Sequence, residues 1–296
     1  MIEYNFIPVC LILLFFGGDL IVLLITGYGL PGVMTSWLIA CVICSLVSIA
    51  LLWRANTVGW VPGRDLFGVS MRLGLRAMLT SLLIMLMFRV GVYLVKYFLG
   101  AGATGIYSIA ILFADLLQKI PNIAGTVLFS KVASGVSEIE DQLTARVSRS
   151  IFFATLLGAL SLAAVGRFLI PLLFGEDFSG AYVPLLCMLP GVVAAASGSV
   201  VNTNLWGRGY PRITVIAPGT ALLVNIVLNL LLIPRMGLIG VGLSTSIVYT
   251  LWTALIFRHF VHGSSCTIGD LLWIRIADLR RTDPAFVHKA LDPDNP

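Results

Sequence analysis

The feature that most constrains this chain is a series of eight long apolar stretches. They cover residues 5–26, 33–53, 77–97, 104–130, 151–173, 181–201, 213–233 and 239–257. A helix that crosses the hydrocarbon core of a bilayer needs about 20 apolar residues, and each stretch is near that length. The sequence therefore predicts an all-α, polytopic membrane helical bundle of about eight transmembrane helices. Turn-forming clusters at 27–32, 100–102, 175–180, 207–211 and 234–237 separate many of the stretches.

The composition excludes the main soluble alternatives. Hydrophobic residues make up 58% of the chain and charged residues 11%, whereas ordinary globular domains have roughly 45–50% and about 25%. A cytosolic enzyme, a disordered protein and a secreted disulfide scaffold are therefore excluded. No Lys or Arg precedes the first apolar stretch, so we expect that stretch to stay in the mature chain rather than act as a removable signal peptide.

The positive charges fall mainly in every second connection between the stretches. The chain has 19 Lys and Arg against 14 Asp and Glu, and the opposite connections contain little beyond Lys96 and Arg235. Cytoplasmic loops of membrane proteins are enriched in Lys and Arg, so the pattern predicts that both termini are cytoplasmic. The positive excess then reflects topology, and no nucleic-acid partner is expected. The cytoplasmic set comprises Arg54, Arg64, Arg72, Arg76, Lys131, Arg146, Arg149, Arg208, Arg212, Arg258, Arg275, Arg280, Arg281 and Lys289.

Two segments are predicted not to span the membrane. Residues 60–76 mix basic and apolar side chains, a pattern typical of a short amphipathic helix on the inner membrane surface. The segment 263–296 forms a tail with one short predicted helix at 268–281.

Four charged residues lie inside predicted spans, where each costs roughly 2.5–3.5 kcal/mol unless it faces protein or water. They are Asp19, Arg89, Asp115 and Lys119. Asp115 and Lys119 belong to a polar stripe on the fourth span and have i,i+4 spacing, so they form either a neutralising pair or part of a cavity wall. Arg89 is either a phosphate clamp, with Lys96 on the same face, or the partner of Asp115 or Asp19 in a structural salt bridge.

Asp19 and two further polar residues have structural and functional interpretations. Asp19 is either a cation site or a paired structural carboxylate. Asn225 and Asn229 are four positions apart on the seventh span, and we expect them to form interhelical hydrogen bonds. We find no catalytic triad, phosphate loop or metal-ligand set, so no enzyme activity, metal or cofactor is expected.

A series of short motifs resembles one family of transporters. FRVG at 88–91 and LGAGATGIYSIA at 99–110 are followed by LFGEDF at 173–178, then by Asn225 and Asn229, then by GLIG at 237–240. In this order, over roughly 74–259, they resemble the carboxy-terminal part of polysaccharide flippases of the O-antigen type. That family is part of the multidrug/oligosaccharidyl-lipid/polysaccharide exporter superfamily, whose members are MATE-like. The order of the motifs carries the resemblance.

The resemblance implies export of polyprenyl-diphosphate-linked oligosaccharide by alternating access between two six-helix lobes. Residues 1–53 would be the last two helices of an incomplete first lobe, and 54–76 the basic amphipathic cytoplasmic linker. Residues 77–262 would be the six-helix second lobe and 263–296 the cytoplasmic tail. Four amino-terminal helices of the family pattern would be missing, and the chain would be inactive alone.

The implied setting is lipopolysaccharide or other cell-surface polysaccharide biosynthesis in the inner cell membrane. The implied partners are lipid-linked oligosaccharide and membrane lipids, together with glycan polymerase or ligase proteins. Arg89, Lys96, Asp115 and Lys119 are the candidate substrate-binding residues.

Other hypotheses remain open at this point. Flippases of this kind often have an acidic residue two positions after the arginine that corresponds to Arg89, whereas this chain has Gly91. No ion-coupling role is therefore transferred. The alternatives are a drug or metabolite exporter of the same superfamily, an inactive fragment, and a membrane enzyme of glycan assembly. A cationic cavity favours an anionic lipid over cationic drugs, and the short outer connections argue against an active site outside the membrane.

Overall fold

A computed structural model describes residues 13, 15–20, 29–54, 64–132 and 137–272 of the chain. The regular structure in this part is entirely helical. Six of its helices are long and apolar enough to cross a membrane. The chain is therefore a multi-pass membrane protein, as its apolar stretches predict.

Seven α-helices follow one another along the described residues. They are α1 (Gly29–Arg54), α2 (Arg64–Val132), α3 (Ser137–Phe174), α4 (Tyr182–Gly207), α5 (Ile213–Met236), α6 (Leu238–His262) and α7 (Ile268–Leu272). A 3₁₀ helix at Glu176–Ala181 connects α3 to α4.

Helix α2 is interrupted at Gly100, which has φ 79° and ψ −175°. Glycine adopts this backbone conformation readily because glycine has no Cβ. The interruption divides α2 into α2a, residues 64–99, and α2b, residues 101–132. The apolar segment Phe67–Ile123 is 57 residues long, more than twice the roughly 20 residues that a bilayer requires. The predicted third and fourth spans therefore correspond to α2a and α2b.

The other predicted spans agree with single helices wherever the structure describes them. The spans at 33–53, 151–173, 181–201, 213–233 and 239–257 correspond to α1, α3, α4, α5 and α6. Most of the first predicted span lies outside the described residues. The count of eight spans and the cytoplasmic termini stay predictions.

The predicted linker and tail are described only in part. Residues 64–76 are helical, but they continue into the third span without a break instead of forming a separate short helix. Residues 55–63 lie outside the described part, so the place of this segment at the membrane surface stays a prediction. In the tail, α7 is the start of the predicted helix at 268–281, and residues beyond 272 are not described.

The chain divides into two compact units, Met1–Phe67 and Gly68–Pro296. In the first unit, the buried Ser36 hydroxyl donates a hydrogen bond to Asp19 Oδ1. In the second unit, one large hydrophobic core joins residues of α2 to α7.

Small residues bring α4 and α6 into close contact at the centre of the second unit. A Cβ on Gly191 would lie 2.4 Å from Ser246 Cα, and one on Gly242 would lie 2.6 Å from the Pro184 carbonyl oxygen. The Gly191 amide also donates to Ser246 Oγ at 2.9 Å. Without a hydrophobic effect between helices in lipid, such close backbone packing is a main source of association.

A buried polar network ties α5 to two neighbouring helices. Asn225 Nδ2 donates to the Met87 carbonyl oxygen at 2.9 Å, and its Oδ1 accepts from Ser244 Oγ at 3.1 Å. Asn229 Nδ2 donates to the same Asn225 Oδ1. The two asparagines form interhelical hydrogen bonds in the core, as their spacing predicts.

Candidate functional site

The second unit contains a groove of about 640 Å³ that is lined by both polar and apolar side chains of its membrane helices. α2a and α2b form one wall, and α4, its connection to α5, and α6 form the other. The lining residues are Ile84, Met85, Phe88, Arg89, Asp115, Gln118, Lys119, Asn122, Ser199, Asn202, Thr203, Trp206, Tyr210 and Trp252. The polar stripe predicted on the fourth span thus faces a cavity through Asp115, Gln118, Lys119 and Asn122.

An ion pair crosses the α2 hairpin beside this groove. Arg89 Nη2 on α2a donates to Asp115 Oδ2 on α2b at 2.9 Å. The salt bridge to Asp115 is therefore formed, and it takes the place of the i,i+4 pair between Asp115 and Lys119. The pair also borders a second groove of about 310 Å³, lined in addition by Tyr93 and Ser108.

Lys119 lines the larger groove as an exposed cation. Among the described residues it has no ion-pair or hydrogen-bond partner. Since Asp115 balances Arg89, Lys119 leaves the charged end of the groove with a net positive charge. This environment suits an anionic group that replaces or supplements the Asp115 carboxylate.

The other candidate residues lie away from this groove. Lys96 is exposed on α2a and is absent from the lining of both grooves in the described part. Asn225 and Asn229 are committed to the core network. Asp19 belongs to the first unit, where it accepts a hydrogen bond from Ser36.

The wall formed by α4 and α6 adds residues that sequence reasoning missed. Asn202 and Trp206 lie on α4, Tyr210 lies in the connection to α5, and Trp252 lies on α6. The rings of Trp206 and Tyr210 are stacked, with centroids 5.8 Å apart and an interplanar angle of 18°. Burial raises the pKa of the Tyr210 phenol above its ordinary value. An available signal was the combination of Asn and Trp in the last turns of an apolar helix.

A second ion pair fixes the end of α4 on which Trp206 lies. The Arg208 guanidinium contacts the Asp141 carboxylate at the start of α3. It also lies over the Phe260 ring near the end of α6, 5.6 Å from the centroid. This arrangement ties the ends of three helices together and supports the turn that contains Tyr210.

Position 91, where the resembling family often has an acid, faces the core of the second unit. A Cβ on Gly91 would lie 3.3 Å from Val241 Cγ1 and 3.4 Å from Tyr107 Oη. Gly91 therefore supports close helix packing and lies away from the charged end of the groove. The described residues include no cluster of three or more His, Cys, Asp and Glu side chains that could hold a metal ion.

The sequence matches no known family profile and no curated protein. A search of solved structures gives a match to one described as "Lipid II flippase MurJ, inward closed conformation", with a TM-score of 0.64 and 18% identity. The alignment covers 98% of this chain. The chain shares its fold with MurJ.

The likeness to MurJ concerns the path of the backbone. This chain spans 61% of the length of the MurJ structure. At 18% identity, a shared fold does not transfer individual residues, and function depends on the site grafted onto the fold. The roles of Arg89, Lys119 and the aromatic pair are therefore argued from their own geometry.

Proposed function

We propose that this chain belongs to a flippase that moves polyprenyl-diphosphate-linked oligosaccharide across the membrane by alternating access. The observation that carries the proposal is the groove between α2 and α4, in which Lys119 and the paired Arg89 meet inside membrane helices. Ionisable residues at such depth mark substrate pathways when they face a cavity. The MurJ-like fold supports the same function.

The groove suits a diphosphate because its two cationic side chains can bind phosphate oxygens in different ways. Lys119 is a point charge with three donors, and Arg89 has a planar fork that can hold two phosphate oxygens. In the described structure Asp115 takes one position of that fork. A diphosphate competes with Asp115 for Arg89 while Lys119 adds a second contact. Binding thereby replaces an internal ion pair with one to substrate.

Transport by this mechanism involves no covalent step. A lipid-linked substrate must keep its diphosphate and sugars out of the hydrocarbon core, where unsolvated charges are costly. A groove with charged walls between membrane helices supplies that environment. Rocking of two helical bundles then exposes the groove to alternate sides of the membrane.

The finer parts of the proposal concern the pathway. The order of the sequence motifs supports an O-antigen-type glycan, destined for cell-surface polysaccharide, as the substrate. It also supports a location in the inner membrane and contact with a glycan polymerase or ligase. The net positive charge of the groove favours this anionic lipid over the cationic substrates of a drug exporter.

The test is export of lipid-linked oligosaccharide in cells that lack their own flippase. The cells carry the longest reading frame that contains this chain, either unchanged or with Arg89→Ala, Lys119→Ala or both. We expect each single variant to reduce export and the double variant to abolish it. Arg235→Ala removes an exposed arginine outside the groove and should leave export unchanged. Full export by the double variant, at equal protein levels, would refute the proposed function.

A further inference from the structure

The aromatic end of the groove is held in a conformation that costs backbone energy. Gly209 and Tyr210 have consecutive positive φ angles of 88° and 54°. Glycine adopts such angles readily, but a bulky side chain does so only where the surrounding structure enforces it. The result of this turn is that the Tyr210 ring lies parallel to the Trp206 ring. The strained residue thus completes an aromatic surface on the wall of the groove.

Three buried polar atoms beside this surface have no partner among the described residues. They are Asn202 Oδ1, Trp206 Nε1 and Trp252 Nε1, and all three residues line the groove. Asn202 is 2% exposed and Trp252 is 1% exposed. Buried polar groups in folded proteins are nearly always hydrogen-bonded, because leaving them unpaired costs free energy. The Asn202 oxygen can accept a hydrogen bond, and the two indole N–H groups can donate one each. They therefore complement a ligand with hydroxyl groups, which both donate and accept.

Neighbouring polar side chains of the groove already donate hydrogen bonds to backbone carbonyl groups. Ser199 Oγ donates to the Ala195 carbonyl oxygen at 2.8 Å, and Thr203 Oγ1 donates to that of Ser199 at 2.8 Å. Gln118 Nε2 donates to the Val192 carbonyl oxygen at 3.1 Å. Among the described buried side-chain atoms of the groove lining, those without a partner therefore belong to Asn202, Trp206 and Trp252.

The aromatic end and the charged end occupy different levels of the groove. Gln118 of α2b lies level with Val192 of α4, to which it is hydrogen-bonded. Further along both helices, Gly125 of α2b lies level with Thr203 of α4, since a Cβ on Gly125 would be 3.0 Å from Thr203 Oγ1. The two helices therefore run in the same direction, and Trp206 lies past the level of Gly125. Lys119 is six residues before Gly125 on α2b, and Trp206 is three residues after Thr203 on α4. At 1.5 Å per residue the aromatic pair therefore lies about 13 Å from Lys119 along the helix axis. A diphosphate at Lys119 can extend its attached sugar along the groove toward Trp206.

We propose that Trp206, Tyr210 and Asn202 form a saccharide subsite that binds the sugar next to the diphosphate of the lipid-linked substrate. This inference rests on the proposed function. It assigns the sugar of the substrate to the aromatic end of the groove, beyond the charged end that binds the diphosphate. A sugar ring presents C–H groups to the electron-rich faces of the aromatic rings. Its hydroxyls supply both partners that the unpaired amide oxygen and indole N–H groups lack.

The test compares two lipids on the purified full chain in detergent. The probes are undecaprenyl diphosphate and undecaprenyl diphosphate carrying N-acetylglucosamine. We expect Trp206→Leu and Tyr210→Leu to weaken binding of the sugar-bearing lipid about two- to tenfold, the range of an aromatic contact. Their affinity for the bare diphosphate should equal that of the unchanged protein. Tyr97→Leu, an exposed tyrosine outside both grooves, is the matched control and should affect neither lipid.

Two further measurements separate a fold defect from a lost contact. Trp206→Phe retains a ring at this position and should keep most of the preference for the sugar-bearing lipid. Tyr210 lies outside the helices, so Tyr210→Leu keeps the test available if Trp206→Leu does not fold. Equal losses for both lipids, or no preference for the sugar-bearing lipid in the unchanged protein, would overturn the saccharide subsite.

The outcomes also distinguish this inference from the proposed function. If the bare diphosphate binds through Lys119 and the sugar adds nothing, the subsite is refuted while the flippase proposal stands. A third probe, the free disaccharide N,N′-diacetylchitobiose, tests the subsite without a lipid or a diphosphate. If it binds in a Trp206-dependent manner while neither lipid binds, the subsite stands and the flippase proposal is refuted. If none of the three probes binds, both are refuted.

Discussion

Arg89 and Asp115 form an ion pair with an N–O distance of 2.9 Å, yet 47% of the arginine side chain and 38% of the aspartate side chain remain exposed. The turn at Gly100 makes this contact across the α2 hairpin. A purely structural pair in a membrane protein would be expected to be enclosed by other helices. This one faces two grooves, so a ligand can reach both partners.

Replacing Asp115 with asparagine should strengthen binding of undecaprenyl diphosphate. The change removes the negative charge that competes for Arg89 while keeping a similar shape. Because exposed ion pairs are worth up to about 1 kcal/mol, we expect a gain of about two- to fivefold in affinity at low salt. Titration at two salt concentrations checks this, and weaker binding by Asp115→Asn would contradict the competition between carboxylate and phosphate.

Replacing Lys119 with alanine should weaken binding of the same lipid by about two- to fivefold at low salt. Lysine at this position lacks an ion-pair partner among the described residues, so its loss removes a charge without releasing another. Lys119→Arg retains the charge and should bind nearly as well. The thermal midpoint of Lys119→Ala should stay unchanged, whereas a large fall would indicate a structural role.

Gly191→Ala should destabilise the second unit. Its new Cβ would lie 2.4 Å from a backbone atom of α6, and such overpacking typically costs about 1–3 kcal/mol. Gly219→Ala is the matched control, because its nearest neighbour is Leu83 Cδ1 at an ordinary 3.7 Å. Alanine favours helix over glycine, so the control should be neutral or slightly stabilising. Thermal unfolding followed by tryptophan fluorescence in detergent compares the two, and equal midpoints would contradict the close α4–α6 contact.

Asn225→Leu should lower the free energy of unfolding by about 1–2 kcal/mol. It removes hydrogen bonds to Met87 and Ser244, and such bonds between membrane helices average about 0.6 kcal/mol each. The new side chain would also leave the Asn229 amide without its partner. Ser108→Ala, at an exposed serine bonded within its own helix, is the control. Steric trapping or unfolding in mixed micelles measures both variants, and a shift no larger than that of the control would be evidence against the network.

Arg208→Ala should loosen the ends of α3, α4 and α6 together. It removes the partner of the buried Asp141 and the cation over Phe260, and leaving a buried charge unpaired is strongly destabilising. Arg212→Ala, an exposed arginine in the same connection, should have little effect. Hydrogen exchange at residues 204–210 measures the result. Unchanged exchange in Arg208→Ala would show that other contacts hold this turn.

Much of the fold follows from local sequence because the bilayer imposes a strict rule. About 20 apolar residues are required for each crossing, and backbone groups in lipid must be satisfied within the helix. The predicted spans therefore coincide with helices wherever the structure describes them. The glycine clusters between spans also predicted the interruption at Gly100. The continuation of residues 64–76 into α2 was not anticipated, since polar and charged residues there are compatible with either arrangement.

The candidate site was predictable only in outline. The cost of charge in lipid identified Arg89, Asp115 and Lys119 as residues that need an explanation. Helical spacing placed Asp115 and Lys119 on one stripe, but the same spacing also allowed an ion pair between them. Lys96 was grouped with Arg89 by that spacing, although it lies outside both grooves in the described part.

The amino-acid sequence by itself determined that this is a helical membrane protein with charged residues inside its spans, because hydrophobicity and charge cost depend on each segment alone. Tertiary structure decided which carboxylate pairs with Arg89 and that Lys119 remains available, since partner choice depends on how the α2 hairpin closes. It also decided that Trp206 and Tyr210 stack on the opposite wall. Their positions depend on a strained turn and on contacts from α3 and α6, which are distant in the chain.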